Sequence, residues 1–224
     1  MDHRRAGHVA GERVSSPSMS INDSAPVPAA ERNRDERFAI LAVCTGNICR
    51  SPAVELMLRH ALQDHPSVSV ASAGTGALVG HGVAEPMARL LDVRNVDPTG
   101  FAARQLTPRD SVAADLVIGL AREHRSAVVA ESPRALRRTF TLLEFARLTA
   151  DVDPAMVDET ATGSTPASRL RALVPLARAR RGSRAYDPRY DDVVDPWRKS
   201  DATYRESLRQ ISEALDVITS AITR

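Results

Sequence analysis

Cysteine is scarce: the 224-residue chain has only Cys44 and Cys49, five positions apart. A secreted domain stapled by disulfides would carry more of them, at wider spacings, so that class is set aside. Two close thiols fit a reducing compartment and a reactive or redox role. Long apolar runs are missing too. None approaches the ~20 residues that cross a bilayer, so no membrane insertion is expected. Arg4 and Arg5 are followed by no apolar stretch, which excludes a secretory signal in this reading and leaves the cytoplasm as the expected location. Charge of one sign is also lacking. A net charge of +2 gives no argument for a nucleic-acid partner. Lysine is nearly absent, with Lys199 alone, a feature that bears on source rather than chemistry. His60, His65, His81 and His124 lack metal-ligand spacing and read as ordinary surface or packing residues; neither a metal nor another cofactor is expected.

What remains is an ordinary globular composition, 43% hydrophobic and 26% charged. Residues 1–36 are rich in Ser, Pro, Ala, Arg and acidic groups and cannot bury enough surface to offset ordering entropy, so they read as a disordered tail. From Phe38 the pattern changes. Phe38–Val43 is apolar throughout, as a strand buried on both faces would be. A polar loop, Cys44 to Arg50, follows, and Ser51-Pro52 opens a helix. Further strands are expected at Val68–Ala71, Asp115–Leu120 and Arg138–Leu142. Helices are expected near Val83–Asn95, Arg122–Ala130 and after the fourth strand. Residues 151–190 read as polar and loop-like apart from a helix at Ala167–Arg180, and Ser200–Ile222 as a long amphipathic helix. Alternating strands and helices predict an α/β domain over 37–224, a parallel sheet covered on both faces.

The run Cys44-Thr45-Gly46-Asn47-Ile48-Cys49-Arg50-Ser51-Pro52 carries the chemistry. It leads from the carboxyl end of a buried strand into a helix N-terminus, where backbone N–H groups and the helix dipole favour an anion. Gly46 is expected to let the backbone curl, and Asn47 tolerates left-handed geometry. The resulting nest, Thr45 to Cys49 with Ser51, would hold a phosphate over the Cys44 sulfur. The thiolate is the nucleophile, and the field that binds an anion also favours it. Ser51 can donate a hydrogen bond to that sulfur. Arg50 can grip two phosphoryl oxygens with its planar fork. A bare Cys and Arg six apart would be a weak signal, and Cys44 a structural thiol; the full run between strand and helix is far more demanding.

This run resembles the signature of the low-molecular-weight protein tyrosine phosphatases. The likeness continues in Ser72-Ala73-Gly74-Thr75, in Ala103-Arg104-Gln105-Leu106 and in a late Asp-Pro-aromatic triplet, covering roughly residues 37–224 with about 40 extra residues, 151–190, before the last motif. The resemblance implies a four-stranded parallel sheet with the phosphate-binding loop after the first strand, no metal, and a phosphocysteine intermediate. It also implies a phosphotyrosine-containing protein as substrate; bacterial members often oppose tyrosine kinases. Cys49 would then be able to form a reversible disulfide with Cys44; a small buried side chain is the equal alternative.

Tyrosine is a poor leaving group unless protonated, so a general acid is needed. Four Asp-Pro pairs are available, at Asp97, Asp153, Asp187 and Asp195, and such pairs usually mark turns. Asp195 is preferred, because Val193-Val194 precede it, Trp197 follows, and the last helix starts just after; it matches the family's triplet. Asp187 is the rival. Trp197 and Leu78 are assigned to the substrate pocket. Three departures from the family stand out: Phe101 where a histidine often braces the loop asparagine, Gly76-Ala77-Leu78-Val79 in place of an aromatic wall, and Leu120-Ala121 in place of Met-Asp. Arsenate reductase on the same fold and a catalytically silent phosphotyrosine-binding module are the competing readings. The first would need further relay cysteines. Arg137-Arg138 and Arg178 to Arg184 read as solvated faces.

Overall fold

A strand with no polar side chain must be covered on both sides. In the computed structural model, which describes residues 37–182 and 187–224, that constraint places β1 (Phe38–Cys44) inside the sheet. It pairs in parallel with β2 (Val68–Gly74) on one side and β3 (Leu116–Gly119) on the other, and β3 pairs with β4 (Thr139–Thr141). The order is β2-β1-β3-β4. Strand periodicity divides the apolar residues between two faces. Ile40, Ala42, Leu116 and Ile118 join the larger core, whereas Leu41, Val43 and Val117 join the smaller one. Residues 1–36, expected as a tail, and residues 183–186 lie outside the described part.

The larger face is covered by α1 (Arg50–Ala61), α2 (Glu85–Asp92), α5 (Leu142–Ala150), α7 (Pro166–Ala179) and α8 (Asp201–Ile222). The smaller face is closed by α3 (Pro108–Ala113), α4 (Arg122–Glu131) and a 3₁₀ turn at Pro133–Arg138, which supply Val128 and Ala135. α3 was not anticipated, although its signal is present. Thr107 and Asp110 form a reciprocal capping box around Pro108 at the first helical position. β2 runs three residues past its expected end, because Ser72, Ala73 and Gly74 continue to pair with Ala42, Val43 and Cys44.

Within segment 151–190 the described residues hold more regular structure than their polarity suggested. Besides α7 it contains α6 (Pro154–Thr160), capped by Asp153, and a 3₁₀ turn at Pro188–Asp191. Leu170 and Leu173 of α7 are fully buried in the larger core. Arg169, itself buried, donates to Asp158 at 2.6 Å and to the Ala221 carbonyl at 3.1 Å, fastening α7 to α6 and α8. Arg181, expected on a solvated face, instead packs over the Phe140 ring at 4.1 Å and pairs with Glu144 at 2.7 Å. No described helix is long and apolar enough to cross a membrane.

Because α7 shares the larger core, Leu170→Ala should destabilise the whole domain. A fully buried leucine truncated to alanine costs about 2–5 kcal/mol. Urea unfolding of the variant should keep one transition at a lower midpoint. Two transitions would mean that α6 and α7 unfold as a separate unit.

Candidate active site

At the carboxyl end of β1 the chain turns through residues 44–50 into α1, and four carbonyls of this loop face outward. Those of Cys44, Thr45, Gly46 and Ile48 accept from the amides of Thr75, Gly76, Leu78 and Ala84 at 2.7–3.0 Å. In a trans peptide the N–H points opposite to the C=O. The amides of Thr45, Gly46, Asn47 and Cys49 therefore point into the concave side, above Cys44. This is an anion nest at a helix N-terminus. Ser72-Ala73-Gly74-Thr75 backs the loop so closely that a Cβ on Gly74 would lie 2.4 Å from the Thr45 carbonyl oxygen; only glycine fits there. Gly74 in turn is held by Arg104 and Leu106, in hydrogen bonds of 2.9 and 2.8 Å.

Gly46 does not supply the curl expected of it. It has no positive φ, and a Cβ there would meet Ile48 at an ordinary 3.4 Å. The left-handed residue is Asn47, at φ 52°. Its side chain is fully buried and anchored at both ends. The Arg104 amide donates to its Oδ1 at 2.9 Å, and its Nδ2 donates to Ser72 at 2.7 Å and Ser51 at 3.0 Å. Ser72 donates onward to Glu55 at 2.5 Å, and Glu55 is paired with Arg59 at 2.7 Å. Asn47 is thus braced by Ser72, Ser51 and the Arg104 backbone, while Phe101 packs half-buried against the larger core. Asn47 and Ser51, both expected at the phosphate, present their side chains behind the loop rather than in the pocket. Of these two residues, Asn47 turns its backbone amide toward the pocket.

The network sets a proton direction. With Asn47 donating to the Ser51 oxygen, the hydroxyl hydrogen of Ser51 is left for the Cys44 sulfur, 2.9 Å away. The pocket above it, about 210 Å³, is lined by Cys44, Ile48, Arg50, Leu78, Asp195 and Trp197, among others. Arg50 is buried. Its guanidinium reaches Asp195 at 3.0 Å and the Val193 carbonyl at 3.4 Å. The four Asp-Pro aspartates separate clearly. Asp97 and Asp153 accept from amides two residues on, as turn and cap. Asp187 caps the Pro188 turn and binds Arg189, whose hydrogen bonds hold its carboxyl below the usual range. Asp195 alone of the four lines the pocket.

Two neighbours of the loop escaped sequence reasoning. His124, expected as ordinary, is 1% exposed, and its Nε2 lies 3.0 Å from the Thr45 hydroxyl and 3.4 Å from the Glu123 carboxylate. A proton on Nε2 serves both oxygens, and the buried Nδ1 has no partner among the described residues. Burial, then the Arg50 charge, pushes this imidazole down to about 4, so it is neutral at pH 7. Tyr204 of α8 meets the Cys49 sulfur at 3.8 Å. Both cysteines are free, and burial pushes the Cys49 thiol up to about 12. Cys49 therefore stays protonated in the same loop as Cys44. Among the described residues no three His, Cys, Asp or Glu side chains are grouped to hold a metal ion.

Residues 39–166 match the family described as low molecular weight phosphotyrosine protein phosphatase. The chain is 38% identical over 94 residues to the low molecular weight protein-tyrosine-phosphatase Wzb of Salmonella typhi; the match spans 42% of this chain and 61% of that protein. Among solved structures it is similar to the Erwinia amylovora tyrosine phosphatase AmsI, with a TM-score of 0.60 and 22% identity over 84% of this chain and 95% of that one. It is also similar to the YwlE arginine phosphatase of Geobacillus stearothermophilus, with a TM-score of 0.58 and 23% identity over 82% and 91% of the two chains. Likeness at these identities concerns the fold alone.

His124 gives this site an acid limit. Between its ordinary 6.5 and about 4, the unfolded chain binds a proton that the folded chain refuses, so stability falls as pH drops through that window. The full loss is about 3 kcal/mol. His124→Asn, which keeps a donor for Thr45, should flatten the acid limb of a stability–pH curve. Ring titration of the folded protein near 6.5 by NMR would refute this.

Proposed function

The chain belongs to the low molecular weight phosphotyrosine protein phosphatase family, and from that premise we propose that it hydrolyses phosphotyrosine in proteins through a phosphocysteine intermediate. The observation that carries the reading is the anion nest closed over Cys44, with Arg50 at its rim and Ser51 behind the sulfur. In the first step the Cys44 sulfur attacks phosphorus and the P–O bond to tyrosine breaks. Arg50 and the inward amides stabilise the charge on the equatorial oxygens, and Asp195 gives its proton to the departing phenolic oxygen. In the second step Asp195 takes a proton from water as the water oxygen attacks phosphorus. Inorganic phosphate leaves, the S–P bond breaks, and Ser51 stabilises the thiolate released.

Support for Asp195 as acid is its place in the lining of the pocket, 3.0 Å from Arg50, whereas Asp187 is bound to Arg189 and is not part of that lining. Support for an aryl substrate is the apolar wall of Ile48, Leu78 and Trp197, against which a phenyl ring can pack. The arsenate reductase alternative finds no support, since the only second thiol is buried and protonated. A chemistry that runs on a reduced Cys44 fits the cytoplasm, and a bacterial tyrosine kinase is the fitting partner.

Aryl phosphate hydrolysis tests this. Cys44→Ser should abolish turnover, and Asp195→Ala should lower kcat by about 10²–10⁴, the range of a general acid. Asp187→Ala should leave kcat near wild type. A larger loss from Asp187→Ala than from Asp195→Ala would reverse the acid assignment. Release of phosphate from a phosphoarginine peptide in preference to a phosphotyrosine peptide would overturn the substrate class.

A further inference from the structure

A second cleft, about 330 Å³, opens where α4, α5 and the end of α7 meet. Five arginines line it: Arg122, Arg125, Arg147, Arg180 and Arg181, against two carboxylates, Glu144 and Asp191. Among the described residues that line the cleft the cations are in excess, and Asp192, which binds Arg122 at 3.0 Å, and Asp187 offset part of that excess at Arg122. These arginines have protein partners. Glu144 pairs with Arg181, and Asp191 lies 3.4 Å from Arg147. What matters is that guanidinium groups outnumber the carboxylates facing them, in the side chain best shaped to hold phosphate.

Position gives the cleft its meaning. α4 and α5 begin at the carboxyl ends of β3 and β4, as the nest begins at that of β1, so both sites lie on one edge of the sheet. Two strand spacings separate β1 from β4, roughly 10 Å. With the depth of a helical turn added, the anion positions lie on the order of 10–15 Å apart, the span of roughly three to five extended residues. The cleft is also tied to the pocket. The Arg122 amide and side chain hold Asp192, and the Val193 amide bonds the Leu120 carbonyl, just before Asp195.

We propose that this arginine cleft binds a second phosphoryl group on the same substrate chain, about three to five residues from the phosphotyrosine being hydrolysed. The proposal rests on the phosphatase reading above. Two arginines of the cleft, Arg180 and Arg181, directly follow α7 in the segment read from sequence as an insertion, so the preference would be a property of this chain's own additions.

The test compares three substrates: a small aryl phosphate, a singly phosphorylated tyrosine peptide, and peptides with a second phosphate one or four residues away. The four-residue spacing should raise kcat/KM by about tenfold through KM, the scale of one added charge-assisted contact. Arg125→Gln combined with Arg180→Gln should erase that gain while leaving aryl phosphate kinetics unchanged. The single change Arg180→Glu serves if the double variant unfolds. Equal kcat/KM for all phosphotyrosine peptides, or a gain that survives the substitutions, would overturn the proposal. So would inorganic phosphate altering aryl phosphate kinetics non-competitively in wild type but not in the variant, since free phosphate would then be the occupant. If wild type fails on the aryl phosphate itself, the phosphatase reading has failed, not the docking inference alone.

Discussion

Everything at this site depends on one buried amide. Asn47 stands in a left-handed conformation that costs an ordinary residue energy, and it is held there by hydrogen bonds at both ends of its side chain. Those bonds let the loop present its amides inward while its carbonyls are satisfied by the backbone of the following segments. Breaking a buried network of this kind leaves several polar groups unpaired at once, which is more costly than any single bond in it. The loop is therefore shaped before an anion arrives, the condition under which electrostatic stabilisation is most effective.

The sheet supplies the second constraint. Four parallel strands send all their carboxyl ends to one edge, so the loops after β1, β2, β3 and β4 crowd together. The nest, the backing glycine of Ser72–Thr75, His124 on α4 and the arginine cleft are consequences of that crowding. The Asp195 loop reaches the same edge from the other direction, tied down through Leu120 and Arg122 before α8 begins.

Much of this was legible in the sequence. The apolar run Phe38–Val43 announced a central strand, and the motif between strand and helix announced the nest, Cys44 and Arg50. What stayed hidden shares one cause: partnerships between residues distant in the chain. Thr45 and His124 are 79 residues apart, and a lone histidine gives no sign that it will be buried against a loop threonine. That Asn47 tolerates a left-handed turn was legible, but its anchors, Ser72 and Arg104, were not, because nothing local announces them. Segment 151–190 looked loop-like because its arginines are polar on paper, yet Arg169 and Arg181 bury their stems and find carboxylates. Asp195 was preferred among the four Asp-Pro pairs for its flanking residues, and its position 3.0 Å from Arg50 sets it apart in space as well.

The contact between Arg50 and Asp195 has a consequence for selectivity. The guanidinium at the rim of the nest is, in the free protein, already matched to a carboxylate. A small anion entering the pocket therefore meets a cation whose charge is partly balanced, and gains less from it than from an unpaired guanidinium. The pocket is thereby tuned against bare inorganic anions and toward ligands that bring further contacts of their own.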